Sequence, residues 1–203
     1  MLRVGLTGGI ASGKTTVAEM LKKRGAHVLH ADTLAHELYE PGKAIYEKVV
    51  EHFGREIVAG DGTIDREKLA NVVFPGRIAE LNAIVHPAVI EAQKRWMDEM
   101  EAADPHGIAV VEAALLIEAG AAKDFHQIIV VTCDFSHKVA HFAKRAGVMR
   151  WRAMGEVERR SAAQMSDEDK AHRADFVVDN SGRLEDTERQ VEQVWHQLQA
   201  MKQ

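Results

Sequence analysis

Eight consecutive residues near the start of the chain, Gly8-Gly9-Ile10-Ala11-Ser12-Gly13-Lys14-Thr15, spell G-x-x-x-x-G-K-[ST]. The chemistry of polyphosphate binding calls for these residue types in this order. Gly8, Gly9 and Gly13 let the backbone turn tightly and aim successive N–H groups inward as an anion nest, with Ala11 and Ser12 supplying amides between them. A helix starting at Lys14 adds the positive end of its dipole. Lys14 then reaches the β- and γ-phosphates as a point charge, Thr15 offers its hydroxyl to Mg²⁺, and Thr16 supports the α-phosphate side. A turn that merely joined a strand to a helix would have little use for a lysine there. The nucleotide is read as ATP, because the chain has no Asn-Lys-x-Asp stretch of the kind that reads guanine.

Two carboxylates stand where a phosphate loop would use them. Asp32 follows the second apolar run, and ligands of open parallel sheets gather at the carboxyl ends of strands. There it either receives or orients the proton of an attacking hydroxyl or caps the helix that follows. Glu112 closes the third apolar run, Ile108–Val111, and either holds Mg²⁺ or faces solvent.

The spacing of apolar runs supplies the elements that must position these groups. Strands are predicted at Leu2–Thr7, Ala26–His30, Ile108–Glu112, Ile128–Cys133 and Asp175–Val178, separated by amphipathic stretches. The fold class is therefore α/β, a five-stranded parallel sheet of the P-loop NTPase type flanked by helices. Helices are predicted from Lys14 to Arg24, stopped by Gly25, and from Leu184 to Ala200. Residues 43–103 read as helical. Ile45, Val49, Val50 and Phe53 recur at helical spacing, Gly60-Asp61-Gly62 makes a turn, and Asp65 caps a helix through Val73. A long run over Gly76–Ala103 is broken or kinked at Pro87. Residues 135–173 carry Lys138, Lys144, Arg145, Arg150, Arg152, Arg159 and Arg160 and read as a helical arm hinged at Gly147 and Gly155. The single domain thus divides into a nucleotide core (about 1–40, 104–134 and 174–203), a helical acceptor-binding insertion (about 41–103) and a helical lid (about 135–173).

Composition narrows the function classes. With 26 basic against 31 acidic side chains, formal charge −5, no basic face is expected for nucleic acid. No apolar stretch is long enough to span a membrane, and the first residues have no signal-peptide layout. The one cysteine, Cys133, ends an apolar run and reads as a buried thiol, and the histidines lack metal-ligand spacing. Together these point to a cytoplasmic protein whose metal arrives with its nucleotide. Trp96, Trp151 and Trp195 read as packing groups.

Taken together, the motifs resemble the dephospho-coenzyme A kinase family over nearly the whole chain. Leu6-Thr7-Gly8-Gly9-Ile10-Ala11-Ser12-Gly13-Lys14-Thr15 resembles its phosphate loop, and Ala31-Asp32 its acidic element. Glu40-Pro41-Gly42, Asp61-Gly62-Thr63-Ile64-Asp65-Arg66 and Leu81-Asn82-Ala83-Ile84-Val85-His86-Pro87 are similar to its helical acceptor region. Leu115-Leu116-Ile117-Glu118 resembles its Leu-Leu-Phe-Glu loop, Arg160-Ser161-Ala162-Ala163-Gln164 its lid stretch, and Ala174-Asp175 and Asn180-Ser181-Gly182 follow in order. The resemblance implies ATP-dependent phosphorylation of the ribose 3′-hydroxyl of dephospho-coenzyme A, the last step of coenzyme A synthesis. It casts Asp32 as the group that meets the hydroxyl, with Thr7, Arg66, His86, Leu115 and Glu118 toward the acceptor. Arg145 and Arg160 become lid cations, with Arg150 or Arg152 as substitutes and a solvated helix face as the alternative; contacts of this kind give roughly 10³–10⁵ in rate. Arg66 reads equally as a partner of substrate phosphate or of a local carboxylate. The chain departs from the family pattern at three places: His30 precedes Ala31-Asp32 where a second aspartate is usual, Ala114 stands for a proline, and Met149 stands where a second lid arginine would follow Arg145. Another P-loop small-molecule or nucleoside kinase, or a non-catalytic nucleotide-binding module, are the alternatives.

Overall fold

A computed structural model describes residues 1–74 and 76–202. Five strands, β1 (Leu2–Gly8), β2 (His27–His30), β3 (Ile108–Glu112), β4 (Gln127–Thr132) and β5 (Phe176–Asp179), form one parallel sheet in the order β2-β3-β1-β4-β5. β1 lies between β3 and β4, with Val4 opposite Val110 and Leu6 opposite Ile129. Ile108–Val111 and Ile128–Val131 are unbroken apolar runs because both faces of a parallel sheet are covered. On one face α1 (Lys14–Lys23) and α9 (Leu184–Ala200) bring Val17, Leu21, Val194 and Leu198 onto Val4, Leu6, Val110 and Ile129. On the other, Leu116, Ile117 and Ala121 cover Ile128 and Val130.

The chain forms two compact units, 1–29 with 97–203 and 30–96. The second unit contains α2 (Ala31–Leu38), α3 (Ala44–Phe53), α4 (Arg66–Val73) and most of α5 (Ile78–Ala103), which runs on into the first. Its core is Ile45, Val49, Phe53, Ile57, Leu69 and Val73. Asp65 caps α4 by accepting from the Glu67 and Lys68 N–H groups, as its carboxylate leads one to expect. The Asp61 carboxylate fixes the adjoining turn by accepting from the N–H and hydroxyl of Thr63, and these bonds hold it below the usual carboxylate range.

Residues 135–173 fold as α6 (Phe135–Ala146), α7 (Arg150–Ala162) and α8 (Asp167–Ala171) within the first unit. Val139, Phe142, Ala153 and Val157 of α6 and α7 enclose Ala11, and Ile10 packs against this group. The arm's hydrophobic core therefore includes the middle of the phosphate loop.

Four local expectations are corrected. Of the break or kink expected at Pro87, the break is absent, and α5 continues through it; the packing of Leu81, Ile84, Val85, Ala88 and Val89 onto the second core outweighs one missing N–H. Gly155 lies inside α7, so it is no hinge, whereas Gly147 ends α6 in the left-handed region at φ 64°. Asp32 is not a cap: His30 occupies that position, making no side-chain capping hydrogen bond, and Asp32 sits in the first turn of α2. Trp195 is buried against the sheet as a packing group. Trp151 is 66% exposed with the Arg152 guanidinium over its ring, so it packs no core.

Candidate active site

β1 delivers the chain to Gly8 at the carboxyl end of the sheet, and α1 begins at Lys14. The loop between them is held by groups far away in sequence. The Ile10 N–H donates to Gln164 Oε1 at 3.2 Å, the Ala11 carbonyl meets His141 Nδ1 at 3.1 Å, and the Ser12 carbonyl accepts from Asn180 Nδ2 at 2.9 Å. Asn180 is itself fixed by the Thr187 hydroxyl at 2.8 Å, inside the protein. Gly13 lies at φ 94°, and a Cβ there would collide with the Asn180 amide, so glycine is required twice over. Ala11 is the one non-glycine residue with positive φ, 54°, among those described. A left-handed alanine costs roughly 1–2 kcal/mol, offset here by its burial in the arm's core.

The Lys14 ammonium folds back on its own loop, 3.1 Å from the Gly8 carbonyl and 3.0 Å from that of Gly9. The Ser12 hydroxyl is buried with no hydrogen-bond partner. An orphaned hydroxyl within an anion nest fits a phosphate oxygen, because a buried polar group left unmatched is costly. Thr15 donates its hydroxyl to Glu112 Oε1 at 2.9 Å. Hydroxyl and carboxylate oxygens suit a hard cation such as Mg²⁺. Among the described residues no three His, Cys, Asp or Glu side chains gather as a ligand set. A metal held by Thr15 and Glu112 would therefore complete its shell with water and nucleotide oxygens. Thr16 is exposed in the first turn of α1.

Loop 113–118 is tied down from beneath. Thr7 is fully buried and donates to the Ala114 carbonyl at 3.3 Å. Lys170, also fully buried, donates to the same carbonyl at 3.1 Å and pairs with Glu118 at 2.9 Å. Glu118 further accepts the Met165 N–H. Thr7 and Glu118 thus support this loop, and Leu115 is 39% exposed.

Arg145 and Arg160 both lie over the Phe142 ring, at 5.6 and 5.5 Å. Arg160 also pairs with Glu156 at 2.9 Å, and with Arg159 it pulls that carboxyl down to about 2. Met149, in the expected place of a second lid arginine, caps α7 and is 68% exposed. Cys133 is buried and its thiol is pushed up to about 11, so it is no nucleophile at neutral pH.

In the second unit, Asp32 and Thr33 open α2 and both are exposed. A pocket of about 560 Å³ is lined by Thr33, Tyr39, Thr63, Ile64, Arg66 and Leu69, among others. Burial raises the Tyr39 phenol to about 12, against the Arg66 charge, which lowers it. Arg66 thus borders this pocket, whereas His86 is half-buried on α5 and is not among its lining residues.

The residues that sequence reasoning missed are His141, Gln164, Asn180 and Lys170. All but Asn180 lie in the stretch read as a lid. Gln164 and Asn180 fell within recognised motifs, but nothing local marked their target.

The family model described as dephospho-CoA kinase matches residues 2–186. The chain is 44% identical over 197 residues to the dephospho-CoA kinase of Geobacter metallireducens, covering 96% of both chains. It is 40% identical over 200 residues to that of Syntrophus aciditrophicus, covering 98% of this chain and 83% of the relative. Among solved structures, a Thermus thermophilus protein superposes with a TM-score of 0.77 at 34% identity, covering 97% of each chain. The chain belongs to the dephospho-CoA kinase family.

Proposed function

We propose that the protein transfers the γ-phosphoryl group of ATP to the ribose 3′-hydroxyl of dephospho-coenzyme A, giving coenzyme A and ADP. The observation that carries this reading is the match to the family model over residues 2–186, beginning with the phosphate loop of β1 and α1. Loop amides and Lys14 bind the β- and γ-phosphates. Thr15 and Glu112 would hold Mg²⁺ delivered with ATP, and the ion would neutralise charge on the phosphoryl oxygens. Asp32 orients the acceptor hydroxyl and takes its proton as the new P–O bond forms and the bond to ADP breaks. Arg145 offsets charge on the transferring group. The pocket bordered by Thr33, Tyr39 and Arg66 receives part of the acceptor, with Arg66 matched to its pyrophosphate. Most of the acceleration is then positioning and electrostatics.

The test is turnover with ATP and a panel of hydroxyl acceptors. Dephospho-coenzyme A is expected to be preferred over nucleosides and sugar acids. Asp32→Asn should cut kcat while ATP binding survives, and Lys14→Ala should weaken use of ATP. Preference for another acceptor, or full turnover in Asp32→Asn, contradicts the reading.

A further inference from the structure

Behind the phosphate loop lies an ion pair that none of the roles above uses. Lys138 Nζ of α6 is 2.6 Å from Asp167 Oδ2 at the start of α8, with side-chain exposures of 10% and 23%. The same carboxylate oxygen accepts the Cys133 N–H at 3.4 Å. The other carboxylate oxygen faces Gly9: a Cβ on Gly9 would lie 2.5 Å from Asp167 Oδ1 and 3.0 Å from Lys138 Nζ. The Gly9 carbonyl is one of the two that receive the Lys14 ammonium. A full negative and a full positive charge therefore stand, largely out of water, against the loop that must hold a polyphosphate.

We infer that Lys138 is a positioning residue for ATP, cancelling the Asp167 carboxylate beneath the phosphate loop so that the nest stays electropositive. The inference rests on the nucleotide reading of that loop. Asp167 by itself would oppose a triphosphate, and its place is explained by what it holds: α6, through Lys138, and the Cys133 backbone. The ammonium removes the electrostatic cost of that brace. Because the pair is largely desolvated, its field is weakly screened. One unit charge at about 10 Å in an effective dielectric near 20 corresponds to about a tenfold change in affinity.

The two partners are consequently expected to act with opposite sign, which a purely mechanical brace would not do. ATP dissociation constants measured by calorimetry should rise about tenfold for Lys138→Met. For Asp167→Asn they should stay level or fall, and for the double variant they should return close to the starting value. The KM for dephospho-coenzyme A should stay the same in all three. Equal weakening of ATP binding in both single variants overturns the inference while leaving the nucleotide reading intact. Asp167→Asn, nearly isosteric, decides alone if Lys138→Met does not fold: weaker ATP binding in it overturns the proposal. Failure of the unaltered protein to bind ATP overturns the nucleotide reading and this inference with it.

Discussion

The Thr15 hydroxyl donates to Glu112 Oε1 across 2.9 Å, joining the first turn of α1 to the last residue of β3. Neither residue has a local reason to seek the other, since 97 positions separate them. The register that sets β3 beside β1, with Leu6 opposite Glu112, puts the carboxylate at the mouth of the loop. If this pair holds the nucleotide's metal, Glu112→Gln should raise the Mg²⁺ concentration for half-maximal activity roughly 10- to 100-fold, as weakening a metal's protein partners does. A Mg²⁺ titration of initial rate checks it; an unshifted midpoint excludes Glu112 from the metal site.

Lys170 and Glu118 form a pair in which the ammonium is fully buried. Lys170→Met leaves the Ala114 carbonyl without its ammonium donor and the Glu118 carboxylate without its cation, a loss of about 1–3 kcal/mol. The urea midpoint should drop accordingly. Combining Lys170→Met with Glu118→Leu should recover most of the loss, because the uncompensated charge is gone.

Asn180 links α9 to the phosphate loop through Thr187 and the Ser12 carbonyl. Asn180→Ala leaves that carbonyl without its donor in a buried place, a loss of about 1–3 kcal/mol. ATP binding should weaken alongside thermal stability. Gly13→Ala should abolish ATP binding, and adding Asn180→Ala should not restore it, because φ 94° remains.

Tyr39 supplies a pH dependence with a definite sign. Burial favours the neutral phenol and raises it from 10.0 to about 12. Its contribution to stability is complete below pH 10 and is lost as pH climbs toward 12, where the native state must ionise a buried group. With only two tyrosines in the chain, tyrosinate absorbance can follow it. One phenol should titrate near 12, and Tyr39→Phe should remove that step and lessen the alkaline loss of stability.

The phosphate loop was legible because its signal is contiguous: glycine spacing, lysine and threonine in eight residues with a strand before and a helix after. Strands β3 and β4 were legible because a parallel sheet covered on both faces writes unbroken apolar runs. Pro87 does not break α5, because proline's helix penalty is local while Leu81, Ile84, Val85, Ala88 and Val89 hold the helix on both sides of it. Gly155 misled in the same way, within a helix anchored by Ala153 and Val157. What stayed hidden is how the loop is held. His141, Gln164 and Asn180 reach it across 130, 154 and 168 positions, and each contact depends on how α6, α7 and α9 pack rather than on any short pattern. Thr7 and Glu118 show the converse, since family motifs marked both residues but packing buried Thr7 and paired Glu118 with Lys170.

Release of ADP from ATP in the presence and absence of dephospho-coenzyme A, with the mass of the product, tests the central claim most directly. Release that depends on the acceptor, and a product heavier by one phosphate at the ribose 3′ position, is the expected result. ADP release that ignores the acceptor, or an acceptor whose mass does not change, would contradict it.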